Sequence, residues 1–302
     1  MKKTKKVLKT ILFLILIVLI TYYSDEINEL LNEEISKDNI GTIVNNKVNN
    51  LEVQFLDVGE ADSILIRYQD KNILIDAGNN ADGKKLVDYF NSLNISKFDY
   101  LIGTHAHEDH VGGMDDIINN YKINHFYMPS KLTTTKTFED ILDSLDKNNI
   151  SFETPNKGKI IKLLDTKLKI LSIDNDAEEL NDTSIVIKMT YKNVSFLFTG
   201  DISSKVENAL LSEDISSTVL KIAHHGSSYS STYNFLEKTN PKYAVIEVGK
   251  NNSYNHPAKS VINRLNKLNI KTYRTDKNNT IVFKTDGNNI EINEIKTNTD
   301  GG

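Results

Sequence analysis

The stretch Thr104-His105-Ala106-His107-Glu108-Asp109-His110 sits where the apolar run Tyr100–Gly103 gives way to a helical segment. In extended backbone, alternate side chains point to one side, so His105 and His107 can share one ion. Asp109 and His110 follow the turn and can face a second ion close by. With 7 His and 41 Asp plus Glu in 302 residues, His-x-His-x-Asp-His is expected by chance roughly 5 × 10⁻⁴ times. The motif therefore reads as chemistry, not as a polar loop.

Two further pieces lie where such a site needs them. Thr199-Gly200-Asp201 ends the apolar segment VSFLF, so Asp201 emerges from a strand tip, where a carboxylate can bridge two cations. Ala223-His224-His225-Gly226-Ser227 ends the segment TVLKI and supplies at least one more imidazole. Five of the seven histidines thus fall at predicted strand ends. His125 falls inside the predicted strand INHFYMP and reads as structural.

Around these motifs, strands and helices alternate. LEVQFLDV, SILIRY and NILIDAG read as strands at hairpin spacing. Helices are predicted over 84–93, 111–119, 137–148, 205–211, 231–238 and 259–268, with strands KLKILSI, TSIVIKMTY, YAVIEV, KTYRT and TIVFKT between or after them. Two β-rich halves with interleaved helices predict two sheets face to face with helices outside, a four-layer α/β arrangement. Residues 51–285 form this body. Residues 286–302, rich in Asn, read as a loose tail.

The N-terminus is different. Lys2, Lys3, Lys5, Lys6 and Lys9 precede the uncharged run Thr10–Ser24, and no small-x-small cleavage pattern follows. Residues 1–24 therefore read as a single uncleaved membrane segment, with the lysines cytoplasmic and the body on the extracellular side. Secretion after cleavage is the alternative. Residues 25–50 read as a polar linker.

Composition narrows the chemistry. Net charge is −5; setting aside residues 1–25, with five lysines and Asp25, leaves 31 bases against 40 acids, or −9. Such a body is not a general polyanion coat, which needs clustered Lys and Arg. Cys is absent, which excludes disulfide scaffolds, iron–sulfur clusters and thiol catalysis. Any metal must be held by His, Asp and Glu, a set that suits Zn²⁺ or Mn²⁺ without choosing between them.

Taken together these motifs resemble the metallo-β-lactamase fold. More narrowly, the chain is similar to the C-terminal hydrolase domain of the ComEC DNA-uptake proteins, in a stand-alone form. Phe55-Leu-Asp57-Val-Gly59-Glu60-Ala61-Asp62-Ser63, Leu74-Ile-Asp76-Ala-Gly78, the run from Val219 to Ser228 and Asn252-Ser-Tyr254-Asn255-His256-Pro257 carry that likeness. Glu60-Ala61 and Asn255 depart from the family pattern of Gln-Gly and Gly. The multi-spanning region of full uptake proteins has no counterpart here, so DNA import by this chain alone is not implied.

The resemblance implies a four-layer αββα sandwich and two divalent ions. His105 and His107 would bind the first ion, and Asp109, His110 and His225 the second, with Asp201 between them. The sequence leaves His224 and His225 open as alternatives for that last place. The first ion's usual third histidine has no clear counterpart; Asn181-Asp182-Thr183-Ser184 stands instead. Asp109, His224 and His256 are the candidate catalytic groups, and Asn181, Ser184 and Ser227 the candidate substrate contacts. Asp76 would orient a ligand from behind; Asp57 and Asp62 would do the same or shape the hairpin. The implied reaction is hydrolysis of a phosphodiester, DNA among the candidates, by hydroxide generated at the dinuclear centre. The alternatives are an esterase for a cell-wall or small phosphodiester of the choline-phosphate type, and a metal-stabilised binding component of a surface complex. No protein partner can be inferred.

Overall fold

The computed structural model describes residues 48–131 and 133–297. The predicted membrane segment and most of the predicted linker lie outside these residues. Among the described residues no helix is long and apolar enough to cross a membrane.

One sheet has eight strands, in the order Ile290–Ile295, Thr280–Thr285, Val48–Phe55, Ile64–Gln69, Lys71–Ile75, Tyr100–Ile102, Phe126–Tyr127 and Phe152–Glu153. The other has seven: Lys271–Arg274, Tyr243–Ile246, Val219–Lys221, Val194–Phe198, Val186–Tyr191, Thr166–Ser172 and Ile160–Leu163. Their sequences alternate with period two, and the alternation sorts side chains into layers. Val53, Phe55, Ile64, Ile66, Ile73 and Ile75 meet Ile187, Met189, Phe196, Phe198, Val219 and Val245 in one core between the sheets. Leu65, Leu74 and Leu101 point the other way, to Leu86, Phe90, Met114, Ile117 and Phe138 on the outer helices. Leu197, Leu220, Ala244 and Ile246 do the same on the second sheet, against Val206, Leu210, Phe235 and Val261. The expected order of helix, sheet, sheet, helix is what these three cores build.

Strand direction places the site. Val194–Phe198, Val219–Lys221 and Tyr243–Ile246 run parallel, so the residues that follow them, Asp201, His224-His225 and Glu247, leave one edge together. In the first sheet Lys71–Ile75 runs parallel to Tyr100–Ile102, which brings Asp76 beside Thr104 and His105.

Three expectations need correction. The chain past Asp286 is not loose over its whole length: Ile290–Ile295 pairs antiparallel with Thr280–Thr285, after a turn in which Asp286 Oδ1 accepts the Asn288 and Asn289 N–H groups. The helix expected over 111–119 is two pieces, Glu108–Val111 and Met114–Asn120. Gly112 and Gly113 separate them because they lie against backbone of Asn79, Asn80 and Ala77, where no Cβ fits. The expected strand INHFYMP is also two pieces, Lys122–Ile123 pairing with Lys97–Phe98 and Phe126–Tyr127 joining the large sheet. His125, between them, stacks on Tyr100 and pairs with Glu153 at 3.3 Å.

Candidate metal centre

His110 is buried at the start of the split helix, and its Nδ1–H donates to Asp76 Oδ2 at 2.9 Å. The His225 Nδ1–H donates to the Glu247 carbonyl at 2.9 Å. With Nδ1 committed, each ring turns its Nε2 to the interior of the site, the atom that can hold an ion once its proton has left. There His110 Nε2 lies 3.2 Å from Asp201 Oδ2 and 3.7 Å from Asp109 Oδ2. His225 Nε2 lies 3.2 Å from Asp109 Oδ2 and 3.7 Å from Asp201 Oδ2. Ligand atoms around a tetrahedral ion with bonds of 2.0–2.1 Å stand about 3.3 Å apart, close to these four His–Asp separations, and all four donors lie within 4.8 Å of one another. His110 Nε2 and Asp201 Oδ1 are buried with no hydrogen-bond partner, a cost that a cation would remove. The donors fit a divalent ion.

His105 and His107 stand next to this group. Thr104 Oγ1 donates to Asp76 and Ser184 Oγ donates to the Asn181 carbonyl, so both hydroxyls accept from His105 Nδ1, at 3.2 and 3.4 Å. That leaves His105 Nε2 facing His107 Nδ1 at 3.0 Å. Two imidazole nitrogens this close share either a proton or an ion.

The electrostatics follow from burial and charge. Burial alone would lower His110 and His225. The carboxylates of Asp201, Asp109, Asp76 and Asp62 override it and hold both rings well above the usual histidine value. Burial would raise Asp201, but the His110 and His225 charges hold it well below the carboxylate range. His105 goes the other way: burial, then the His110 charge, keeps it well below 6.5 and neutral.

Backbone strain marks the same place. His224 and His225 both have positive φ, 53° and 49°, a conformation that costs non-glycine residues about 1–3 kcal/mol each and clusters at functional sites. Gly226 follows at φ +83°, where a Cβ would lie 2.5 Å from Pro257 Cβ. Gly200, at φ +54°, lets the Asp201 loop close on Ser184, whose Oγ would be 2.8 Å from an added Cβ.

A cleft of about 280 Å³ opens on the donors, bordered by Glu60, His107, Glu108, Asp109, Asn181, Asp201, His224, His225, Tyr254 and His256. His224 is 30% exposed there, 3.9 Å from Asp201 Oδ2. His225 stands within the four-donor group and His224 outside it. His256 stacks on Tyr254, and Asn252 grips its backbone, accepting from its N–H at 2.8 Å and donating to its carbonyl at 2.7 Å.

Two expected substrate contacts are otherwise engaged. Ser184 is fully buried, its hydroxyl holding the Asn181 carbonyl and the Asp201 N–H. Ser227 is buried, and its Oγ accepts the Tyr229 N–H at 3.4 Å. Both hydroxyls shape the turns that carry donors. Asp57 Oδ1 accepts the Gly59 N–H, and the Asp57 N–H donates to Thr280, bonds that anchor a turn; Asp76 is the residue holding His110. Asp62, expected beside Asp57 as support or as a shaper of the hairpin, faces His225 Nδ1 at 3.4 Å and His110 Nδ1 at 3.6 Å, with the buried Lys221 behind it. The lysine inside the apolar run TVLKI signals a buried acidic partner without saying which one. Glu60 and Tyr254, from the motifs that carry the family likeness, stand at the rim.

Comparison with known proteins agrees with this geometry. The model of the metallo-beta-lactamase superfamily matches residues 56–249. The chain is 29% identical over 254 residues to ComE operon protein 3 of Bacillus subtilis, covering 77% of this chain and 33% of that protein. It is 29% identical over 245 residues to competence protein ComA of Neisseria gonorrhoeae, covering 78% and 32%. The chain thus spans about a third of the length of these ComEC-like relatives. Among solved structures, the metallo-beta-lactamase fold protein YhfI of Bacillus subtilis superposes with a TM-score of 0.53 at 11% identity, over 78% of this chain and 100% of that one. That likeness speaks to the fold alone.

Proposed function

We propose that this chain, which belongs to the metallo-beta-lactamase superfamily, is a hydrolase that cuts phosphodiesters. The observation that carries the proposal is the convergence of Asp109, His110, Asp201 and His225, with donor atoms all within 4.8 Å of one another, beside the His105–His107 pair. Two divalent cations, Zn²⁺ or Mn²⁺, would neutralise charge growing on phosphoryl oxygens and bring the pKa of a water towards roughly 7.

The chain's own residues do the rest. Asp201, a member of the four-donor group, would serve both ions. Asp76 and the Glu247 carbonyl fix the tautomers of His110 and His225. His224, half-open on the cleft, faces the substrate phosphate, and His256 supplies a proton to the departing oxygen. The names of the relatives make DNA one candidate substrate.

A second reading has an observation of its own. Among the described residues bordering the cleft there is no Lys or Arg, while Glu60 and Glu108 are present. A long polyanion gains most of its affinity from basic side chains, so this rim favours a small or cell-wall phosphodiester over a polymer. Incubating the metal-loaded protein with single-stranded DNA, double-stranded DNA and a small chromogenic phosphodiester separates the readings. Turnover of the chromogenic ester alone selects the second; loss of all three overturns the phosphodiesterase assignment. The lysine cluster and the run Thr10–Ser24 are the basis on which we place this activity outside the membrane.

A further inference from the structure

Asn181 borders the cleft beside His107, Asp201 and His224, yet its side-chain Oδ1 is shut off from water and accepts no hydrogen bond. A buried polar atom in that state costs about 1–3 kcal/mol unless a partner arrives. Its placement is firm. Asn181 sits in the short turn Leu180–Thr183. The next residue, Asp182, accepts from the Ser203 N–H at 2.9 Å and the Ser203 hydroxyl at 3.0 Å, tying the turn to the segment after Asp201. Ser184 Oγ ties it again, to the Asp201 N–H at 3.1 Å and to His105 at 3.4 Å. The turn is thus fastened to Ser203, to Asp201 and to His105 of the first donor pair, and it carries an unpaired oxygen.

The donor count points to what that oxygen is for. The second position has four side-chain donors, from Asp109, His110, Asp201 and His225. The first has His105 and His107, with Asp201 shared. His125, the histidine lying between His110 and Asp201 in sequence, is engaged on the surface with Tyr100 and Glu153. We propose that Asn181 Oδ1 is a ligand of the ion held by His105 and His107. This rests on the two-ion reading above.

The substitution of an amide oxygen for an imidazole has a chemical consequence. A neutral, hard oxygen adds no charge and suits Mn²⁺ or Mg²⁺ better than Zn²⁺. The two positions are then unequal: the second tight, with two carboxylates and two imidazoles, the first weaker and selective for harder ions.

The test is metal binding by the full chain, read without activity. Metal-free wild type, Asn181→Ala, Asn181→Asp and Asn181→His are titrated with Mn²⁺, free ion being followed by electron paramagnetic resonance, then with Zn²⁺. Wild type takes two Mn²⁺ with distinct affinities. Asn181→Ala weakens the weaker site at least about tenfold and leaves the tighter one unchanged. Asn181→Asp tightens the weaker site, and Asn181→His shifts its preference to Zn²⁺. Wild-type affinity at both sites in Asn181→Ala, or a weaker first site in Asn181→Asp, overturns the proposal. Wild type that binds a single ion overturns the two-ion reading itself. Removing an orphaned amide also leaves the metal-free Asn181→Ala protein at least as stable as wild type; a fall in its unfolding midpoint assigns Asn181 to structure and counts against the proposal.

Discussion

Lys221 Nζ stands 2.5 Å from Asp62 Oδ2, and both side chains are sealed from solvent. The pair lies directly behind the donor histidines, with Asp62 Oδ1 3.4 Å from His225 Nδ1. Lys221 holds the Asp62 carboxyl below the usual range against the strong opposing effect of burial. A fixed positive charge thus backs a wall of carboxylates.

Removing one partner of such a pair costs about 3–5 kcal/mol, because it leaves an uncompensated buried charge. Lys221→Met is therefore expected to lower unfolding free energy by that amount in the metal-free protein, measured in urea. Lys221→Met with Asp62→Asn should recover more than half of the loss. A single variant within about 1 kcal/mol of wild type would show that the pair contributes little.

Asp201 is expected to matter more than any single histidine. It faces His110 at 3.2 Å and His225 at 3.7 Å and lies beside His224. Asp201→Ala should abolish hydrolysis and bring metal content towards zero. His105→Ala should retain part of the second ion, with activity down by several orders of magnitude, since one ion cannot clamp both attacking and leaving oxygens. Metal analysis beside rate measurement decides it, and full activity in Asp201→Ala refutes the two-ion reading.

Stability without metal should fall as pH rises above about 6.5. His110 and His225 have folded-state values well above that of the unfolded chain. Their contribution is complete below the unfolded value and is lost as pH rises through the folded ones. Asp109 and Asp201 are held low, so their share is lost on acidification below the ordinary carboxylate range. Ions need the lone pairs those protons occupy, so metal binding releases protons and tightens with pH. Calorimetric melting of metal-free and loaded protein from pH 5 to 9 should show midpoints diverging upward; parallel curves would contradict the assignment.

The candidate donors were legible because each comes from a short local motif at a strand end: His105-x-His107-x-Asp109-His110, Gly200-Asp201 and His225 of His224-His225. The four layers were legible because period-two alternation, as in Leu65 against Ile64 and Ile66, labels both faces of a strand. Long-range polar pairing was not. Nothing local joins Asp62 to Lys221 or commits the Ser184 hydroxyl to the Asp201 N–H. The last strand hid for another reason: the alternation of Ile290 and Ile292 was masked by the surrounding Asn, and the packing of these two partly buried side chains against the core appears only in three dimensions.

His256 is the most exposed assignment. Its Nδ1 is buried without a partner, its ring lies between Tyr254 and His225, with centroids 5.7 and 6.5 Å away, and Asn252 fixes its backbone. Burial, then the charges of His225 and His224, lower its pKa, so its acid form is a strong donor but a scarce one at neutral pH, and the rate it supports should rise on mild acidification. The four-donor group does not include it, so His256→Ala should keep full metal content. If it protonates the leaving oxygen, the rate should fall about 10²-fold for an alkyl leaving group. For a nitrophenolate, which departs without help, the loss should be much smaller. Rates on a series of diesters with leaving groups of graded pKa read this directly. A variant equally slow across the series would leave the metal centre standing and remove His256 as the acid.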